Sequence, residues 1–362
     1  MSVSATGGAY LALLVAASAG TAHANDEVVD PCACSPNKPH FHRADAMTGG
    51  WGGLRQDLLA TGLKISGTYA GEVFAGPGLK NDKVVSAGLF LLAIDYSVGE
   101  HLPALHVAGL GIHGNGLSTE LMDVYGVSNN VADPGVRLFE AWAEQGIGPL
   151  TIRAGLLSAD QEFILAQHST VLLGATFGIV SLFRDNVLSP VYPVAEPAVS
   201  ARVETDTITV RAAVYDTDAP DEHGVPRAFG NEALAMGELQ IAGTFSLGGW
   251  HHTDHGNGLY GVLDAKLDRY TGAFARLARS DEGPVSTYFD AGIRVGPGPL
   301  RPRDFASIGI AYTSGERGPQ TILELTYQYL VRGWLTIQPD AQMILDRQGT
   351  EAVVATRMVV AL

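Results

Sequence analysis

The sequence predicts an all-β protein, a transmembrane antiparallel β-barrel of about sixteen strands. Three observations lead there. From Leu63 onward, apolar and polar residues alternate in sixteen successive stretches, and a period of two marks a strand with unlike faces. The links between these stretches are short and long by turns, as when one side of a membrane carries tight turns and the other carries loops. Mean hydropathy is +0.13, high for a soluble chain. Yet after the first two dozen residues no apolar run reaches the roughly 18–20 residues of a membrane-spanning helix.

Residues 1–24 read as a secretory signal peptide. Tyr10 to Ala19 is a short apolar core and Ala22-His23-Ala24 fits a small-residue cleavage site, although no Lys or Arg precedes the core. Maturation is expected at Asn25, on the way to an oxidising compartment. Residues 25–62 are a polar leader that holds both cysteines, Cys32 and Cys34, in CACSPNKPHFH with His40 and His42. Two neighbouring thiols cannot staple a fold, and the spacing matches no strong zinc pattern, so no metal and no cofactor is assigned. The net charge of −15 argues against a nucleic-acid surface, which needs a basic patch.

Residues 63–362 carry the alternation. The predicted strands are 63–73, 86–98, 104–113, 137–145, 149–157, 198–204, 207–216, 234–241, 243–252, 258–268, 270–279, 286–296, 303–313, 320–330, 334–345 and 351–362. Most are near the nine to eleven residues that cross a bilayer at a tilt. If the last strand ends in the periplasm, the short links Gly99–Pro103, Gly146–Gly148, Thr205–Asp206, Ala242, Arg269 and Val331–Gly333 all fall on that side. The long links 114–136, 158–197 and 217–233 then all fall outside, and a soluble sandwich has no reason to obey this parity.

The faces follow from the same count. Ile65, Tyr69, Val73, Phe90, Leu92, Ile94, Ile208, Val210, Val214, Phe289, Ile293, Ile308, Ile310, Tyr312, Val354, Met358 and Val360 are placed toward lipid. Lys64, Glu72, Asp95, Glu140, Glu144, Arg153, Arg202, Arg211, Glu238, Asp264, Lys266, Arg276, Asp290, Arg294, Glu324, Asp340 and Arg357 are placed toward the lumen. A single Arg or Lys on the lipid face at mid-depth costs about 2–4 kcal/mol, so the pattern resists a slip of one residue. Segment 158–197 does not alternate cleanly and contains Pro190, Pro193 and Pro197. Two placements are open for it: short helices folded into the barrel mouth, or a cap against neighbouring loops. His251, His252 and His255 fall in a predicted external loop and read as solvated polar residues. No nucleophile elbow, phosphate-cradling loop or H-E-x-x-H occurs, so no catalytic residue is assigned.

Several ordered motifs resemble one family. GGWGGLRQDLLATGL (Gly49–Leu63) resembles the opening of the OprB-type carbohydrate-selective porins, and RLFEAWAEQ (Arg137–Gln145) resembles one of their strands. GLYGVLDAKL, YFDAGI and LELTYQYLVRGWLTIQPDAQMIL match later strands in the same order. The resemblance runs from about Thr48 to Leu362. It implies a sixteen-stranded outer-membrane barrel of a Gram-negative bacterium, with 49–62 a periplasmic segment holding a short helix. It also implies passive diffusion of sugars and other small neutral solutes, with outer-membrane lipid and lipopolysaccharide as surroundings, and it leaves a homotrimer open.

Selectivity would then lie in the lumen wall. The seventeen charged lumen positions named above are eight basic and nine acidic, a balance that suits neutral polyols. The wall residues assigned to the permeant are Trp142, Glu140, Glu144, Arg153, Arg202, Arg211, Asp264, Lys266, Arg294, Glu324 and Asp340. Arg and carboxylate groups can fork onto hydroxyls, and an aromatic ring can stack on a sugar face. Trp142, in a row between Glu140 and Glu144, is the leading position, with Arg153 as a nearby opposite charge. Two other readings stand beside this one: a general or differently selective pore, and a soluble periplasmic β-sandwich that binds a ligand.

Overall fold

The computed structural model describes residues 45–76, 84–99, 102–114, 126–187, 190–218, 230–297, 301, 303–347 and 349–362. The signal segment and the Cys32/Cys34/His40/His42 cluster lie outside the described residues. Sixteen strands run in chain order: β1 (Leu63–Ala75), β2 (Val85–Tyr96), β3 (Ala104–Gly114), β4 (Gly135–Ile147), β5 (Leu150–Leu157), β6 (Glu196–Glu204), β7 (Ile208–Asp216) and β8 (Ala233–Ile241). They continue as β9 (Phe245–His252), β10 (Gly256–Lys266), β11 (Thr271–Ser280), β12 (Val285–Val295), β13 (Phe305–Gly315), β14 (Gln320–Arg332), β15 (Leu335–Leu345) and β16 (Thr350–Ala361). Every strand end falls within two residues of its predicted place. Each strand pairs antiparallel with its neighbours in sequence, and β1 pairs with β16, so the sheet closes. Closure leaves no free edge, which a strand-built membrane span requires and a two-sheet sandwich does not have. No helix among the described residues is long and apolar enough to cross a membrane.

A short helix, α1 (Leu54–Ala60), precedes β1. Its Arg55 donates to Leu362 O at 2.8 Å and to Gly49 O at 3.1 Å, which ties the segment to the seam between β1 and β16. Turn chemistry is visible between β8 and β9. In the three-residue link Ala242 (φ 53°) and Gly243 (φ 64°) both take positive φ, as a turn matched to strand twist demands, and Thr244 N–H bonds Ile241 O at 3.0 Å.

The alternation maps onto an outer and an inner face. On β14 Leu325 is 58% exposed, whereas its neighbour Glu324 is fully buried. Most of the side chains placed toward lipid are exposed; Ile65 and Tyr69 are half-buried. Val360 is covered, beside the point where Met47 N–H bonds Ala361 O. One strand departs from strict alternation. The register of β3 with β4 shifts between Ala108 and Gly109, so Phe139 and Glu140 are both buried while Val136 and Leu138 stay exposed. This bulge lets β4 keep apolar residues outside along its whole length without turning Glu140, Trp142 and Glu144 out.

The interior is not an open tube. Residues 158–187 and 190–195 enter the barrel, with a 3-10 turn (Ala159–Gln161) and two short helices, α2 (Ala175–Gly178) and α3 (Ser181–Val187). Of these residues, Phe163, Ile164, Leu172, Leu173, Phe177, Val180, Leu182 and Phe183 are buried. They form one apolar cluster with inward side chains of the wall, among them Trp250, Phe274, Tyr288, Ile322, Ile344 and Val353. A second piece, 126–131, joins it: Asn129 N–H bonds Leu173 O at 2.7 Å and Ala175 N–H bonds Gly126 O at 2.9 Å. Of the two placements open for 158–197, the chain takes the inserted one.

Candidate functional site

The inserted segment is held by the charged wall. Arg276, fully buried on β11, pairs with Asp290 on β12 and donates to four loop carbonyls: Gly178 O at 2.8 Å, Phe177 O at 3.0 Å, Thr176 O at 3.1 Å and Ile164 O at 3.2 Å. Glu324 accepts from Leu173 N–H and, at 2.9 Å, from Gly174 N–H. Asp264 accepts from Gln167 N–H at 2.8 Å and from the His168 ring at 2.6 Å, and Arg294 donates to Gln167 O at 3.2 Å. Glu140 accepts from Ser158 N–H at 3.3 Å, and Glu238 from Ile164 N–H at 3.3 Å. On the opposite seam Arg357 pairs with Glu72 at 2.5 Å, and Glu72 also accepts from Ser128 and Asn130 of the second inserted piece. A loop backbone taken out of water must have its N–H and C=O groups matched, and wall charges supply the partners.

Inside the loop, Asp160 is buried and accepts from the Ser158 hydroxyl and from Tyr192 N–H at 3.2 Å. Burial raises its pKa above the usual carboxylate range in spite of those bonds.

One stretch of wall is left lining a recess. Glu144 of β4, Thr151 and Arg153 of β5, Ser200, Ala201 and Arg202 of β6, Arg211 of β7 and Glu162 of the loop surround it. The register explains why they meet. Glu144 faces Arg153 and Arg153 faces Ser200 in one row; Thr151 faces Arg202, which faces Arg211, which faces Glu238, in the next. Arg153 pairs with Glu144 at 2.6 Å and Glu162 at 2.9 Å, and Arg211 pairs with Glu238 at 2.7 Å and donates to Gln240 at 3.2 Å. Both rows stand within a few residues of the tight turns that join β4 to β5 and β6 to β7, so the recess opens on the short-turn side of the barrel.

The eleven wall residues read from the sequence therefore divide. All sit on the inner face, but only Glu144, Arg153, Arg202 and Arg211 line the recess. Glu140, Asp264, Arg294 and Glu324 hold the inserted loop. Asp340 accepts from Gln342 at 2.9 Å and lies opposite Thr326. Lys266 is exposed at the short-turn end of β10. Trp142 is not the stacking platform expected of it. His106, on the strand to one side, stacks on the indole at 4.7 Å between centroids, and the Arg153 guanidinium, from the strand on the other side, lies 4.1 Å from the ring centroid. An indole held between an imidazole and a guanidinium has no free face for a sugar.

Sequence reasoning missed Glu162, Thr151 and Ser200, which alternation alone does not distinguish from other polar positions. It also missed the apolar part of the loop's seat, for which a signal was present: Phe274, Ile322, Ile344 and Val353 fall at inward positions, where an open pore would be polar. His251 and His252 are engaged locally, His251 with Asn257 at 2.8 Å and His252 with Thr217 at 2.9 Å. Among the described residues no cluster of three or more His, Cys, Asp or Glu is arranged to hold a metal.

Comparison with known proteins bears on this architecture. The family model described as carbohydrate-selective porin, OprB family, matches residues 98–283 and 254–361, well over half of the chain. The chain belongs to the OprB family of carbohydrate-selective porins. It is accordingly an outer-membrane porin of Gram-negative type, a pore and not an enzyme, and the family implies sugars as permeants. Solved structures agree on the barrel. A high-pH structure of Pseudomonas putida OprB superposes with a TM-score of 0.80 at 17% identity, covering 90% of this chain and 100% of that one. A low-pH structure of the same protein gives 0.62 at 19% identity, covering 89% and 100%. A triple mutant of Rhodopseudomonas blastica porin gives 0.54 at 9% identity, covering 83% and 100%. At such identities the likeness concerns the fold. A search of curated proteins returns no match.

Proposed function

We propose that sugars cross this porin past the β4–β8 wall, and that Arg202 and Arg211, with Glu144, Glu162, Thr151, Ser200 and Arg153, hydrogen-bond their hydroxyls in passing. The observation that carries this reading is the division of the interior. The loop's apolar cluster takes in inward residues of β1, β2 and β5 to β16, and the recess of Glu144, Arg153, Arg202 and Arg211 is left at the short-turn end of β4 to β7, with the loop's Glu162 at its edge. Around the recess, three guanidiniums stand with two carboxylates, and Arg153 is already neutralised by both. A wall of nearly balanced, forked donors and acceptors suits small neutral polyols better than ions of one sign.

The test is block of ion current by glucose in planar bilayers. In Arg202→Gln and Arg211→Gln, glucose block is expected to weaken by about tenfold, the loss of one hydrogen bond to a charged group. Unchanged block in both variants refutes this path. A parent current indifferent to glucose and to larger sugars would favour a general pore built on the same barrel.

A further inference from the structure

We propose that His106 is a positioning residue for sugar selectivity: tethered to Asp95, it braces the Trp142 indole against the Arg153 guanidinium and so fixes the charge pattern of the recess. This rests on the recess being the sugar path. The elements form one chain across four adjacent strands. Asp95 of β2 faces His106 of β3, and His106 faces Trp142 of β4. The His106 ring donates through Nδ1 to Asp95 Oδ1 at 2.7 Å and stacks on Trp142 with an interplanar angle of 18°. His106 is 3% exposed, so its position is set by protein and not by solvent.

The far side of the indole is shaped to receive Arg153. The residue of β5 directly opposite Trp142 is Gly155. Its φ of +142° disfavours any side chain, and a Cβ there would press on the Ala141 carbonyl oxygen and on the Cα of Trp142. With no side chain at 155, the guanidinium of Arg153 folds over the ring and still reaches Glu144 and Glu162. A planar cation over an aromatic face is held in orientation as well as in place. His106 thus acts on the recess through two other side chains and touches no sugar itself. Without it the indole gains a free face, and the guanidinium loses the surface that fixes the direction of its donors.

The experiment compares His106→Ala, His106→Phe, Asp95→Ala and Arg153→Gln in the full-length porin, with glucose block of the current as readout and heat-modifiable migration as the check on folding. His106→Ala is expected to weaken glucose block by about three- to tenfold, the range of a lost cation–π brace. His106→Phe, which keeps a ring on the indole, restores most of it, and Asp95→Ala falls between. A purely structural role would move migration and not produce rescue by Phe. Parent-like block in a folded His106→Ala overturns the inference, as does a His106→Phe as weak as His106→Ala. If His106→Ala does not fold, the other pair decides: weakened block in Asp95→Ala with parent-like block in His106→Phe supports the brace, and parent-like block in Asp95→Ala overturns it. Parent-like block in Arg153→Gln removes Arg153 from the sugar path and counts against the proposed function. Weak block in Arg153→Gln with parent-like His106→Ala counts against the brace alone.

Discussion

Replacing Arg276 by Met tests whether the wall charges hold the inserted loop. The guanidinium is wholly buried between Asp290 and the turn of loop that includes α2. Of the four carbonyls it serves, Phe177 O also accepts from the Ser169 hydroxyl and Thr176 O from the Tyr288 hydroxyl. Ile164 O and Gly178 O then lose the side-chain donor described above. Removing one partner of a buried ion pair costs about 3–5 kcal/mol, because the other charge is left behind. Opening the loop would relieve that cost by admitting water, whereas the strand ladder on either side stays intact. The opening equilibrium of 164–178 should therefore rise by roughly two to four orders of magnitude. Native-state hydrogen exchange reads this directly: amides of 164–178 lose that much protection while the amides of β1 and β16 do not. The double variant Arg276→Met with Asp290→Asn removes the stranded charge and should recover part of the protection. A folded single variant whose loop protection falls by less than tenfold refutes the anchoring argument.

Two further outcomes follow from the faces and from the loop. Leu325→Arg puts a cation at the outward middle of β14 and should lower barrel stability by about 2–4 kcal/mol, read as a shifted urea midpoint for folding into lipid vesicles; an unchanged midpoint would mean that Leu325 does not meet lipid. The pKa of Asp160 is raised in the seated loop, so the seated form binds that proton more tightly than the open one. Its seating therefore weakens as pH rises from the ordinary carboxylate value through the raised one. Proteolysis of 158–195 should accelerate over that window, and Asp160→Asn should flatten the dependence; an identical pH profile in the variant would show that another group is responsible.

The barrel was legible because its signals are local and repeated. Each strand declares two faces through its own alternation, and on β14 and β15 Leu323, Leu325, Ala341 and Met343 could lie outside only if Glu324, Gln342 and Asp340 lay inside. The bulge at Phe139 was not legible, since Arg137-Leu138-Phe139-Glu140 reads equally well with either residue turned in until its partner Ala108 is known. The role of each lumen charge was hidden for a different reason. Arg276 and Arg202 occupy equivalent inward positions on similar strands, and no property of the single residue says whether it meets water or the backbone of a loop about a hundred residues away.

The pairing register separates the two once the neighbours are known. Across β11 and β12 Arg276 faces Asp290, a neutral pair that can be sealed under the loop. Across β6 and β7 Arg202 faces Arg211, and like charges set directly opposite repel. Such a pair would be costly beneath a dry cover, because a low local dielectric amplifies the repulsion. It is tolerable where water screens it, where Glu238 and Gln240 take up Arg211, and where Glu204 stands 3.7 Å from Arg202. The Arg276–Asp290 pair is thus suited to a place under the loop, and the like charges of Arg202 and Arg211 are suited to a place that water reaches. The proposed sugar path at Arg202 and Arg211 accords with this, since a solute with hydroxyl groups would there replace water without having to displace protein.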